Sequence, residues 1–469
     1  MSFLHIVSFS IFQKPSLKVL PPSGVLRSFK KYGFWMLVPM ILGGSILFDG
    51  SYREESIAWA GESSLQKMDI PVLTIDQAVS QALQKNPALA KDRARMNREK
   101  TLSIQAGELP DPKLVLGEQY FPISFNMGQS LLAMTTVGLR QSFSPLGKRD
   151  LLRKGFIREE SASRWNLEER KLRLVRDVRL TWLDLYRNTR TEILLRSIGL
   201  LWQEAFESAL ARYRQGTGSE SDLLLAQFQK DNLKDKEEAL EIQTEESLHL
   251  LMRLMHRSEP FRVSDEEPKF PVPLSESLML TQINLHPALK SSAEQNAAQA
   301  LRVQAARKNK IPAFSVEGDY SYFMGPSLIT STPNLFSVVL TMNLPVRPGE
   351  RQDQKVQEEE ADLESFEAQR EELRQNLAQE IRDDESGYRH LSHRARFFDL
   401  RLLPEAHRNA EAALNDYSTG TVHMGRVLES MKKVEDIELQ ALDIRIEKFK
   451  EMAKLDYLNG RLQGGSHEK

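Results

Sequence analysis

Between Phe314 and Tyr322, apolar and polar positions alternate without a break. Phe314, Val316, Gly318, Tyr320 and Tyr322 fall on one face, and Ser315, Glu317, Asp319 and Ser321 on the other. Phe336 to Leu344 repeats the arrangement, with Phe336, Val338, Leu340, Met342 and Leu344 against Ser337, Val339, Thr341 and Asn343. A period of two predicts strands with one apolar and one polar face. Weaker alternations run through Leu114, Leu116 and Tyr120 and through Val137, Leu139 and Phe143. Four strands are therefore expected, at about 113–121, 134–143, 314–322 and 336–344, with loops near 122–133 and 323–334.

The remaining pattern is helical and very long. Lys148 to Tyr213 contains no proline and only two glycines, Gly155 and Gly199. At about 1.5 Å per residue such a helix spans on the order of 100 Å, so it needs a partner along its length. After the tip Gly216-Thr217-Gly218, a descending arm from Glu220 to Met255 has neither glycine nor proline, and Pro260 closes it. The expected product is a coiled-coil hairpin over 148–255. A second, over 350–460, turns at Gly420-Thr421 and should be interrupted at Pro404. Seam positions at 3-4-3 spacing include Val175, Val178, Trp182 and Leu185, then Leu363, Phe366, Arg370 and Leu373, then Val434, Ile437, Ala441 and Ile444.

Shorter helices precede each strand pair. Thr74 caps one that ends at Lys85, and Pro87 starts another that runs to about Gly107. Pro273-Leu-Ser275 and Pro287 open their counterparts, the second ending near Asn309. Landmarks recur at a nearly fixed shift. Asn86-Pro-Ala-Leu89 returns as His286-Pro-Ala-Leu289, Pro112–Tyr120 as Pro312–Tyr320, and Tyr213-x-x-Gly216-Thr217 as Tyr417-x-x-Gly420-Thr421. Two tandem repeats follow, over about 73–265 and 273–465. The fold class is mainly α with a small β part: short helix, helix, two strands and a long helical hairpin, twice.

Composition narrows the function. A net charge of -2 leaves no basic footprint for nucleic acid. The absence of cysteine excludes disulfides, thiolate metal sites and cysteine nucleophiles. No separate domain-sized stretch is available to cover four apolar strand faces, whereas lipid could cover them. Four strands cannot close a barrel, since the smallest bacterial barrels have about eight. An open edge cannot face lipid either, because its amides and carbonyls would be unpaired. Membrane-spanning strands here imply several copies sharing one barrel.

Residues 1–60 read as targeting. Arg27, Lys30 and Lys31 precede an apolar run from Phe34 to Phe48, and Ala58-Trp-Ala60 has the form of a cleavage site. Against this stand a long leading segment and the charged Arg53, Glu54 and Glu55. A retained membrane anchor is the alternative.

The repeated order of elements resembles the TolC-type outer-membrane efflux factors. The residues that carry the resemblance are the two Pro-Ala-Leu starts, Gly107-Glu-Leu-Pro110-Asp-Pro112, the Pro145-Leu-Gly147-Lys148 turn and the two Tyr-x-x-Gly tips. They cover about 73–462, and their order is more specific than any one of them. The Leu146–Lys148 turn is similar to the family's cation-efflux branch, which does not identify a substrate. The resemblance implies a homotrimer in the outer membrane of a Gram-negative bacterium, most of it in the periplasm. Its twelve strands would form one barrel, continuous with a helical tunnel. It further implies a periplasmic adaptor (membrane fusion) protein docking at Gly216, Thr217, Gly218, Gly420 and Thr421. Beyond the adaptor it implies an inner-membrane transporter, proton-driven in the main reading. A duct for type I protein secretion and a non-channel periplasmic coiled-coil scaffold are the alternatives.

In this family, acids just past the tip glycine form a constriction ring. The matching positions are Asp222, beside Glu220, and, in the second repeat, Arg426, which departs from the pattern. A plainer reading of Ser219–Asp222 is a helix cap with an acid at the positive end of the dipole. His390 and His393 stand one helical turn apart without a third ligand, and Gly216-x-Gly218 has no following lysine. No cofactor, metal or catalytic motif is expected, and the chain is not read as an enzyme.

Overall fold

The computed structural model describes residues 71–460 apart from 121–122, 126–132 and 324–333. The expected targeting segment 1–60 and parts of both strand-to-strand loops lie outside the described residues.

Strand β1 (Val72–Leu73) leads into α1 (Ile75–Lys85) and α2 (Pro87–Gly107). A reciprocal box sets the first of these helices. The Gln77 amide donates to Thr74 Oγ1 at 3.3 Å, and the Thr74 amide donates to Gln77 Oε1 at 3.0 Å. Asn86 then ends α1 and caps α2, its Oδ1 accepting from the Ala88 amide at 2.8 Å. Strands β2 (Lys113–Gln119) and β3 (Met134–Phe143) follow, then the hairpin of α3 (Lys148–Arg214) and α4 (Glu220–Met255). The second half repeats the order. It runs through β4 (Arg262–Val263), α5 (Glu276–Gln282), α6 (Pro287–Arg307), β5 (Phe314–Phe323), β6 (Leu335–Met342), α7 (Gln352–Phe397), α8 (Leu403–Ser418) and α9 (Met424–Leu458).

Two details differ from the sequence expectation. Strand β2 stops at Gln119 because Tyr120 takes a positive φ of 54°, which no ladder accommodates. The interruption at Pro404 takes the form of a π turn, Phe398–Leu402, in which the Leu403 amide donates to the Phe398 carbonyl. Proline has no amide to offer the preceding turn, and the wider turn accommodates both the lost donor and its ring.

The four long strands pair antiparallel in the order β2-β3-β5-β6. Each is continuous with one helix: α2 enters β2, β3 leaves into α3, α6 enters β5, and β6 leaves into α7. Those helices pack in the same order, α2 on α3, α3 on α6 and α6 on α7. Further along the hairpins, α4 packs on α3 and α9 packs between α3 and α7. Sheet and helices therefore form one sheet-like wall, four elements wide along its length.

A collar binds the two repeats where the short helices meet the long ones. Strands β1 and β4 pair in parallel, Val72 with Arg262 and Leu73 with Val263. The Trp182 indole, 1% exposed, donates to the Leu73 carbonyl at 3.2 Å and stacks on Tyr186. Truncating such a side chain costs about 3–5 kcal/mol. Val175, Val178, Trp182 and Leu185 are all buried, whereas Leu363, Phe366 and Leu373 are only half-buried. The second set lies on α7, an edge helix with no neighbour on one side among the described residues.

Candidate conduit wall and gate

One face of the sheet is apolar and exposed, and the opposite face carries its buried polar groups. Leu114, Leu116, Val137, Leu139, Phe314, Val316, Tyr320, Phe336, Val338 and Leu340 all stand exposed on one face. Register places them side by side, Leu114 against Leu139, Val137 against Tyr320, and Tyr320 against Phe336. On the opposite face Thr136, Glu317, Asp319 and Ser321 are buried. Thr136 and Ser321 share a hydrogen bond at 3.0 Å, and Arg140 pairs with Glu317. Asp319 lies over Gly138, where an added Cβ would sit 1.9 Å from its Oδ1. This glycine is required by the close crossing of a carboxylate on the polar face. A soluble sheet buries its apolar face; this sheet does the reverse.

Both edges of the wall are unpartnered among the described residues. Strands β2 and β6 are the sheet edges, and α2 and α7 continue them. Along the hairpins, α4 carries exposed Leu224, Phe228 and Ile242 near one edge, and Phe397, Leu400 and Leu414 stand exposed near the other. No helix among the described residues is long and apolar enough to cross a membrane.

At the far end the structure brings the two tips together. Gly216 and Gly420 turn the chain with φ of 71° and 77°, a region that β-carbons disfavour. Amides of Thr217 and Gly218 both donate to the Arg212 carbonyl at 3.0 Å, and the Thr421 amide donates to that of Asp416 at 2.9 Å. The Arg212 guanidinium lies 4.7 Å over the Tyr417 ring, joining one tip to the other. Ser219 Oγ accepts from the Asp222 amide at 3.3 Å, so Ser219 caps α4 with Glu220 and Asp222 in its first turn. Asp222 is half-buried beside Gly425 of the second tip, while Arg426 is exposed and pairs with Glu429 at 3.0 Å. No ion pair joins Asp222 to Arg426 among the described residues. Met424 is a core residue packed with Val427, Leu428 and Ala226.

Behind the tips lies a buried charge cluster. Glu435, 3% exposed, accepts from the Trp202 indole at 3.2 Å and pairs with Lys236 and Lys432. Burial opposes its charge, but hydrogen bonds from the two lysines outweigh burial and hold its carboxyl below the ordinary range. The cluster ties α3 and α4 of the first hairpin to α9 of the second. Sequence reasoning missed Glu435, although Leu428, Met431 and Glu435 follow seam spacing and mark it as a charge on a packed face.

Two further buried groups sit at joints of the wall. His286 caps α6 with Nδ1, which accepts from the Ala288 amide at 3.3 Å, and it meets the Tyr457 ring edge-on at 5.3 Å. Burial lowers its pKa, and nearby Glu169 only partly opposes this. Between α7 and α9, burial and the charge of Glu451 push Asp384 up to about 7, with Lys454 shared by the two carboxylates. No group of three or more metal-ligating side chains is gathered among the described residues.

No family model matches the chain, and no curated protein matches it. Solved structures do. A membrane protein from Pseudomonas aeruginosa aligns with a TM-score of 0.73 at 18% identity, covering 89% of this chain and 98% of that one. The CmeC outer membrane channel of Campylobacter jejuni aligns at 0.70 and 15% identity, covering 82% and 85%. The open state of the MtrE outer membrane channel of Neisseria gonorrhoeae aligns at 0.68 and 14%, covering 82% and 88%. The likeness extends over most of each molecule and shows that the chain has the fold of these channels.

Proposed function

We propose that this chain is one stave of an outer-membrane exit duct. Three copies would form a twelve-stranded barrel continuous with a helical tunnel, which passively conducts substrates delivered by a periplasmic adaptor and an inner-membrane pump. One observation carries the reading: an exposed apolar strand face in a wall whose two edges have no partner among the described residues. Lipid supplies what the apolar face lacks, and a neighbouring copy supplies the edges. With an even number of strands, β6 of one copy meets β2 of the next in antiparallel sense, so the barrel closes without a mismatch. Nothing in this role calls for a catalytic group or cofactor.

Gly216, Thr217, Gly218, Gly420 and Thr421 form the end that the adaptor would engage. Asp222, with Glu220 beside it, is the candidate gate. Three Asp222 carboxylates near a shared axis repel one another and attract cations, while Arg426, exposed on the adjoining tip, offsets part of that charge.

The test is the assembly mass of full-length protein extracted from separated outer membranes, measured by light scattering corrected for detergent. Three chains per particle are expected, and planar-bilayer recordings of Asp222→Ala should then show reduced cation preference. A monomer, or protein confined to soluble or inner-membrane fractions, would overturn the duct and favour the scaffold.

A further inference from the structure

The wall changes from sheet to helix over a short stretch of chain, and the chemistry changes with it. The apolar face of β6 continues past its end through exposed Leu344, and Val346 is 83% exposed in the turn that follows. The corresponding turn after β3 holds Leu146, 85% exposed. Both are aliphatic residues beside cations, Lys148 and Arg149 in one turn and Arg347 in the other. Aliphatic groups at the edge of an apolar belt, with cations one step farther out, match the acyl-to-phosphate boundary of a leaflet.

Between the two turns lies a cavity of about 930 Å³, lined in part by Pro145, Lys148, Leu344, Arg351, Gln352 and Lys355. Its acids are already engaged, Glu350 with Arg347 at 3.5 Å and Glu358 with Lys355 at 2.8 Å. Lys148 Nζ has only a neutral partner, Asn309 Oδ1 at 2.6 Å. No carboxylate pairs with Lys148, Arg351 or the neighbouring Lys308 among the described residues. Helices α3 and α7 both begin here without a side-chain cap, adding the positive ends of two long dipoles. A chain with a net charge of -2 thus gathers uncompensated positive charge beside its apolar belt.

We infer that this cavity binds the phosphodiester headgroup of an anionic glycerophospholipid from the periplasm-facing leaflet, with its acyl chains lying along Leu340 and Leu344. The inference rests on the duct reading, because it needs the sheet to lie in a membrane. Lys148 and Arg351 supply the charge, and the two helix starts supply amide donors. One lipid per chain would fix the depth at which the barrel sits.

Native mass spectrometry of the full-length assembly, exchanged into detergent with equal phosphatidylglycerol and phosphatidylcholine of matched acyl chains, tests this. Wild-type protein should retain the anionic lipid preferentially. Lys148→Gln combined with Arg351→Gln should lower that retention by about tenfold or more. Lys154→Gln, whose lysine pairs with Asp150 and lies outside the cavity lining, should change it little. Equal retention of the two lipids would overturn the site, as would full retention by the double variant. So would loss of the preference on adding inorganic phosphate at modest concentration, which would mark a site for free anions. Trimers without lipid preference would sink only this inference, whereas monomers would sink the duct reading itself.

Discussion

His286 and Asn86 are equivalent residues, and replacing the first with the second should remove an acid sensitivity that only one repeat possesses. In the first repeat Asn86 caps α2 through Oδ1 and donates from Nδ2 to the Leu254 carbonyl at 2.8 Å, tying the cap to the end of α4. His286 caps α6 through Nδ1 and packs against Tyr457, near the end of α9. The groups facing it are Glu169, Arg173 and Tyr457, whose own hydroxyl burial pushes up to about 12. A proton on Nδ1 would turn the cap from acceptor to donor against the Ala288 amide. The folded-state pKa is depressed below the ordinary 6.5, so the unfolded chain binds the proton first. Stability is therefore complete above pH 6.5 and falls as pH drops toward the folded-state value. The slope is at most about 1.4 kcal/mol per pH unit. For a chain of this size that is about 2 °C in midpoint per pH unit. Thermal unfolding of the assembly, followed by circular dichroism between pH 8 and 4.5, should show wild type and His286→Asn together at pH 8. The wild type should then fall away below pH 6.5. Parallel curves over the whole range would refute the proton-sensitive cap.

Three other perturbations follow from buried groups. Asp384→Asn removes half of the carboxylate pair with Glu451. Because the folded-state pKa is raised to about 7, the native charge costs stability most above that pH. The variant should be more stable by about 1 kcal/mol at pH 8, after discounting for residual water, and its advantage should shrink toward pH 5. Gly138→Ala places a Cβ 1.9 Å from Asp319 Oδ1, so heat-modifiable assembled protein should drop sharply in membranes, and a second change, Asp319→Ala, should restore it only in part, because the Gly318 carbonyl still lies 2.9 Å from that Cβ. Glu435→Ala takes from Lys236 its carboxylate partner, while Lys432 keeps Asp436 at 2.7 Å, and should lower stability by about 2–3 kcal/mol; Glu435→Gln, which keeps an acceptor, should cost less.

The sequence was most legible where one pattern ran long. Strict alternation located β5 and β6 to within two residues, and the long proline-free arms, with two glycines in the first and none in the second, located α3 and α4. The seam of α7 was harder to judge, because its spacing is that of a packed helix while one side of it has no neighbour among the described residues. Glu435 and Asp384 were invisible as sites because their meaning depends on which helix lies opposite. His286 was read only as a landmark. Its role follows from the residue it replaces, since asparagine is a common cap and the imidazole Nδ1 stands in for the amide oxygen. The candidate gate positions Asp222 and Arg426 could be placed by offset, but the neighbouring tips that frame them lie about 200 residues apart, one in each repeat.

Strands and helices succeed one another in the same order from top to bottom of the wall, and each repeat supplies half of that order. If three chains close as proposed, every level would be built from six half-staves, and the bore would be set by how many halves close the circle. Lengthening a helix makes the pipe longer and leaves its calibre alone. A single repeat, cut free, would have the parts for a hexamer of the same width. Carrying both repeats on one chain halves the number of pieces to be gathered, and it lets the two halves differ at residues such as Asp222 and Arg426 while the geometry of closure stays the same.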